Sequence, residues 1–132
     1  MLIGELAEAT GVTAKTLRYY EQQGLLPAPD RTAGGYRDYD PAIVQRVAFI
    51  RQAQAAGLTL RQIGEVLAVR DDGRAPCQHV AEVVDERLGD VEARLRKLRR
   101  TRDQLRRLRS RLDELDPADC PPGEICRAVT RP

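Results

Sequence analysis

Hydrophobic positions along this chain come in short bursts at helical spacing, followed by one long regular series. Leu2, Ile3, Leu6, Ala7 and Thr10 predict a first helix over residues 2 to 10, stopped by Gly11. Val12 and Thr13 restart the chain, and Thr13 is placed to cap a second helix running from Ala14 to about Gln22. On that helix Leu17 and Tyr20 point inward with Val12. Lys15, Arg18 and Tyr19 share the exposed side, because residues three and four apart are helical neighbours. Gly24 ends the helix. Two short helices about a tight glycine turn make a helix-turn-helix pattern, which by itself describes a plain helical hairpin in a bundle equally well.

Behind this pair runs a stretch from Pro27 to Tyr39 in which Gly34-Gly35 separates two short extended pieces, the pattern of a hairpin. A hairpin behind a helix-turn-helix is a wing. Arg31 and Arg37 flank its turn and suit phosphate contact, and Tyr36 adds a hydroxyl donor. Asp40-Pro41 predicts the next helix start, with Asp as cap and Pro in the first turn. Ile43, Val44, Val47, Phe49 and Ile50 carry that helix to about Ala56, and Gly57 breaks it. Thr59 caps a fourth helix with Leu60, Ile63, Val66 and Leu67 as its apolar stripe. Thr13 and Thr59 each follow a glycine by two residues and precede a basic residue by two, which reads as one unit used twice in reduced form.

Asp71-Asp72-Gly73-Arg74-Ala75-Pro76 is a turn cluster and a joint. Beyond it Val80, Val84, Leu88, Val91, Leu95, Leu98, Leu105, Leu108, Leu112 and Leu115 follow mostly in steps of three or four, the seam of a coiled coil, with one gap at Thr101-Arg102. A helix over 77–115 is more than 50 Å long at ~1.5 Å per residue and cannot fold back on itself. Its seam needs a partner, most simply the same helix of a second chain. The expected organisation is a winged unit over 1–70, a hinge over 71–76, a dimerisation helix over 77–115 and a C-terminal loop and tail over 116–132.

Composition narrows the function classes. The 132 residues include 22 basic and 20 acidic side chains, a net charge of only +2, which excludes a polybasic tail and a strongly acidic disordered chain. No apolar run spans a bilayer and no secretory signal is visible, so a cytoplasmic protein without a membrane partner is expected. The single histidine, His79, has no nucleophile elbow near it, so no enzyme is expected. Ten Lys or Arg lie between Arg94 and Arg111 against one acid, Asp103. Antiparallel pairing of two such helices sets Asp85, Glu86, Asp90 and Glu92 of one chain near the arginine-rich end of the other. That reading is preferred to direct DNA contact by this stretch.

Three cysteines exclude a closed disulfide framework and point to metal or redox chemistry. Cys77 opens the long helix; Cys120 and Cys126 lie just beyond its end, so one chain cannot gather all three. Antiparallel pairing sets Cys77 of one protomer beside the other two thiols of its partner and creates two symmetric three-thiolate sites. Pro121-Pro122-Gly123 stiffens and turns the loop between the latter two. His79 is either a fourth ligand, favouring tetrahedral Zn(II) or Cd(II), or a hydrogen-bonding neighbour of a trigonal site suited to Hg(II) or Pb(II). A thiol-based redox or electrophile sensor is the main alternative; an iron–sulfur cluster normally wants four cysteines. A non-regulatory coiled-coil adaptor leaves the basic face and wing unexplained.

Ile3-Gly4-Glu5-Leu6-Ala7, Thr13-Ala14-Lys15-Thr16-Leu17-Arg18-Tyr19-Tyr20-Glu21, Gly24-Leu25-Leu26 and Gly35-Tyr36-Arg37-Asp38-Tyr39 strongly resemble the MerR family of transcriptional regulators. The resemblance covers essentially the whole chain. It implies a mainly α fold: a winged helix-turn-helix DNA-binding domain, a second wing near Gly57 to Leu60, and dimerisation through an antiparallel coiled coil. It also implies a regulator that binds promoter DNA as a homodimer and distorts it for RNA polymerase when an effector binds. Lys15, Arg18 and Tyr19, with Thr13 at the helix start, would meet the DNA, and Arg31, Tyr36 and Arg37 would hold phosphates from the wing. The short segment after the coil is too small for a drug-binding domain and resembles the metal-sensing branch. In that branch a cysteine at the position of Cys77 marks sensors of divalent ions (Zn, Cd, Pb or Hg), where copper-type sensors carry serine. Five residues separate Cys120 from Cys126, fewer than in the well-known mercury, zinc and copper sensors.

Overall fold

A computed structural model describes residues 1–130; the last two positions of the expected C-terminal segment lie outside the described residues. The chain is mainly helical. Helices α1 (Ile3–Thr10) and α2 (Ala14–Gln22) precede a two-stranded hairpin, β1 (Asp30–Arg31) and β2 (Arg37–Asp38). Then come α3 (Ile43–Ala55), α4 (Leu60–Asp71), the long α5 (Cys77–Glu114), a 3₁₀ turn (Pro117–Asp119) and a short α6 (Arg127–Thr130).

Local chemistry sets most of these boundaries. Gly11 ends α1 in the left-handed region, φ 69°, with its N–H on the Ala7 carbonyl. The Thr13 hydroxyl accepts from the Thr16 N–H at 3.2 Å, as an N-cap should. Thr59 and Gln62 form a reciprocal capping box at the head of α4. The Asp40 carboxylate does accept from a backbone amide, that of Ala42 at 2.9 Å. It closes a separate turn, however, so α3 opens at Ile43 rather than at Pro41. No strands form near Gly57 to Leu60: a glycine turn (Gly57 φ 103°) runs straight into the capping box, and β1–β2 is the only sheet among the described residues.

The chain divides into two compact units, Met1–Arg87 and a second beginning at Leu88. The first has a contiguous apolar core in which Leu6, Leu17, Val47, Ile50 and Ile63 are fully buried, with Leu26 and Tyr39 packed among them. Each such side chain contributes roughly 1.5–3 kcal/mol by leaving water. Val12, Leu17 and Tyr20 are buried as the spacing required. Arg46 ties three segments of this unit together. Its Nε donates to the Leu25 carbonyl at 2.6 Å, and its Nη atoms donate to both oxygens of Asp71 at 2.7 and 3.0 Å. These bonds hold the Asp71 carboxyl below the usual carboxylate range.

Two features of this unit run against the apolar pattern. Gln62 is completely buried: its Oε1 accepts from the Thr59 N–H at 3.0 Å, while its Nε2 has no hydrogen-bond partner among the described residues. The start of α5 also belongs here. Val83, off the seam, is buried, and Arg61 reaches Glu86 at 2.9 Å. Arg87 Nε donates to the Gly57 carbonyl at 2.6 Å. Glu86, expected among the interchain acids, is thus bonded within its own chain, because Arg61 in the first turn of α4 reaches it.

In the second unit the seam is open. Leu88, Leu95, Leu98 and Leu105 are 52, 45, 64 and 59% exposed. Ala128 of α6 is buried, and Arg111 Nε donates to its carbonyl at 3.1 Å. Among the described residues no helix is long and apolar enough to cross a membrane.

Candidate nucleic-acid interface and cysteine sites

The cap at Thr13 and the burial of Leu17 and Tyr20 fix the rotation of α2, and Lys15, Arg18 and Tyr19 are left exposed. Antiparallel pairing of Arg31 with Arg37 fixes the wing, whose turn uses Gly35 at φ 82°. Thr32 donates its N–H to the Tyr36 carbonyl at 2.8 Å, leaving the Tyr36 ring 71% exposed at the tip. Arg18, Arg31, Tyr36 and Arg37 line one hollow of about 570 Å³ beside the first turn of α1, together with Glu5 and Glu8. Helix and hairpin, read separately from sequence, thus share one concave surface, where three guanidinium groups outnumber two carboxylates.

Two candidates have other work in this structure. The Thr13 hydroxyl is engaged as a cap and also bonds the Thr16 hydroxyl at 3.0 Å. Arg37 Nε donates to Glu21 Oε2 at 3.1 Å, and the Tyr39 hydroxyl donates to the same oxygen at 3.1 Å. Burial, and then the bond to Glu21, push the Tyr39 hydroxyl above the usual phenol range, so it remains a donor. Glu21 enters the sequence reading only as part of the family motif, because an acid carries no phosphate-binding signal.

All three cysteines are free thiols: Cys77 and Cys120 are exposed and Cys126 is half-buried. Cys120 and Cys126 line one hollow of about 270 Å³ with Leu112, Leu115, Asp116 and Pro117. Among the described residues of one chain, no group of three or more His, Cys, Asp or Glu side chains is gathered to hold an ion. His79 stands between two carboxylates, Nε2 at 3.7 Å from Glu65 and Nδ1 at 3.6 Å from Glu82, contacts that become ion pairs when the ring is protonated. Neither carboxylate was anticipated. Glu82 lies one turn along α5, but Glu65 comes from α4, and only the docking of the two helices brings it there.

The comparisons with known proteins agree with this architecture. Residues 1–69 match the family described as MerR HTH family regulatory protein, and residues 44–115 match the one described as MerR, DNA binding. The chain is 38% identical over 120 residues to the mercuric resistance operon regulatory protein of Bacillus cereus, covering 90% of this chain and 91% of that one. It is 43% identical over 107 residues to the HTH-type transcriptional regulator ZntR of Escherichia coli K12, covering 80% and 76%. Among solved structures it is similar to the transcription regulator PbrR691 from Ralstonia metallidurans CH34 in complex with lead(II), with a TM-score of 0.78 and 36% identity over 91% of this chain and 94% of that one. These relatives are regulators rather than enzymes. On sequence and fold together, the chain belongs to the MerR family of helix-turn-helix transcriptional regulators.

Proposed function

We propose that this chain is a homodimeric transcriptional regulator that binds promoter DNA through α2 and the wing and responds to a divalent thiophilic ion. The observation that carries the reading is the donor set. Two free thiols, Cys120 and Cys126, line one hollow, and the third, Cys77, is exposed at the head of α5. Soft sulfur donors suit Zn(II), Cd(II), Pb(II) or Hg(II). The names of the relatives support the class, one being mercuric and one bound to lead(II). The exposed seam supports antiparallel pairing of α5 with its copy. In that arrangement Cys77 would hold the ion with Cys120 of the partner subunit and Cys126 of the partner subunit. A bound ion would supply a cross-link between the protomers.

The chain's own residues would then do the rest. Lys15, Arg18 and Tyr19 meet the groove, Arg31, Tyr36 and Arg37 hold backbone phosphates, and Thr13 fixes the helix that presents them. The 71–76 segment joins this face to the cysteine-bearing helix. His79, with Glu65 and Glu82 at its two nitrogens, acts beside the thiolates as a supporting group rather than a ligand.

A mixed dimer tests the shared site. One protomer carries Cys77→Ser; its partner carries Cys120→Ser and Cys126→Ser. One site then loses all three thiolates and the other keeps all three. Titration with Cd(II) should find about one ion per heterodimer at wild-type affinity, while each parent homodimer binds poorly. A heterodimer with no intact site would show that the ligands are not shared across the pair.

A further inference from the structure

We infer that Glu21 is a positioning residue: it locks the wing against the DNA-facing helix and, through one carboxylate oxygen, aims Arg37 at a DNA phosphate. The inference rests on the reading above that α2 and the wing hold DNA.

Glu21 lies in the last turn of α2, and its Oε2 takes two bonds from the far side of the hairpin, Arg37 Nε and the Tyr39 hydroxyl, both at 3.1 Å. The two donors differ in character. Tyr39 is a core residue, 2% exposed, so its hydroxyl anchors the carboxylate to the body of the unit. Arg37 lines the basic hollow with Arg18, Arg31 and Tyr36. A guanidinium held at Nε is fixed in its plane while its outer Nη groups keep their donors for a second partner.

The charges around the wing call for such a device. Arg31 and Arg37 stand directly opposite in the ladder, where like charges repel. Arg31 turns to the Gly35 carbonyl at 2.9 Å, and Arg37 turns to Glu21. An acid this close to a polyanion weakens binding by simple repulsion. Its placement is understandable if the geometry it imposes outweighs that repulsion.

The two roles give opposite outcomes for Glu21→Gln, which removes the charge at nearly constant shape. The full-length chain is assayed on a duplex selected by the wild-type protein from a random-sequence pool. Affinity is read across a salt series, with Arg37→Ala in parallel. If Glu21 positions Arg37, affinity falls about tenfold, the scale of one lost charge-assisted contact. The slope of log affinity on log salt also flattens by about 0.9, the signature of one phosphate contact, as it does for Arg37→Ala. If Glu21 is only a nearby negative charge, Glu21→Gln binds more tightly and keeps its slope, and the inference is overturned. If Arg37→Ala itself leaves the slope unchanged, the wing reading beneath the inference fails and takes it along. Tyr39→Phe alters no charge and serves should Glu21→Gln unfold: the freed carboxylate should again weaken binding, and undiminished affinity counts against the lock.

Discussion

Leucine sits differently in the two compact units. Leu6, Leu17, Leu25 and Leu26 of the first are at most 3% exposed, at the centre of a core closed by the chain itself. Leu88, Leu95, Leu98 and Leu105 of the second are 45–64% exposed, spaced as regularly as any core residue. The first unit has an answer within one chain for nearly every apolar side chain it carries. The second is a regular surface whose complement is not in the same chain. Sequence periodicity reports that a face is apolar, but not who covers it.

The largest effect is expected where this contrast is tested directly. Leu98→Asp replaces a residue that a lone chain leaves 64% exposed. On an ordinary surface such a change stays within roughly 0.5 kcal/mol. In a paired seam it buries a charge in each protomer, at several kcal/mol. Light scattering should show a wild-type dimer at micromolar concentration and a monomeric variant; an unaffected dimer would mean that the exposed leucines are not its contact.

Next comes the core of the first unit. Ile50 is fully buried on α3, and Ile50→Ala should cost about 2–5 kcal/mol in a denaturant titration. The loss should belong to the winged unit, with dimerisation intact in partly destabilising denaturant. Simultaneous collapse of both would show that the units do not fold separately.

Arg18→Ala removes an exposed cation from α2. It should weaken operator binding by on the order of 1–3 kcal/mol while leaving oligomeric state and melting temperature alone. Undiminished binding across a salt series would remove α2 from the interface.

The smallest effect concerns the Arg46–Asp71 pair. Hydrogen bonding by Arg46 lowers the Asp71 carboxyl, so the pair's stabilisation is full above the ordinary carboxylate range and is lost as pH falls through the lowered folded value. The Asp71 side chain is 53% exposed, so solvent screening keeps the contribution under about 1 kcal/mol. Asp71→Asn should therefore be slightly less stable than wild type at neutral pH and indistinguishable from it in strong acid. A gap that widens on acidification would reverse the sign argued here.

Much of the first unit was legible because glycines and hydroxyl caps punctuate it. Gly11, Thr13 and Thr59 mark boundaries that the structure reproduces, and the proline-free run to Glu114, interrupted by no glycine but Gly89, matches α5. The exposed side chains of α2 and of the wing were legible one element at a time. What escaped notice depends on neighbours distant in sequence. Glu21 owes its role to residues 16 and 18 positions away, and Arg46 to one 25 away. Burial of Gln62 inside an apolar stripe is invisible to periodicity, since its value lies in the reciprocal bond with Thr59. Val83 is buried where the seam period points to Val80 and Val84, because that period does not hold in the first turns of the helix. There α5 still faces its own chain.

The wing consists of just two pairs, Asp30 with Asp38 and Arg31 with Arg37, and hairpins of that size are marginal on their own. Its tip is therefore expected to open locally at a small fraction of the free energy that unfolds the core, with amides there exchanging with solvent long before those of α3. DNA would meet a segment that is sampled rather than rigid. Ordering it on contact subtracts conformational entropy from the affinity. That loss should appear on binding DNA as amide protection gained at Thr32 and Tyr36, whose N–H bonds lie within the tip and open with it, and little change at Tyr39, whose N–H is held outside the hairpin by the Met1 carbonyl.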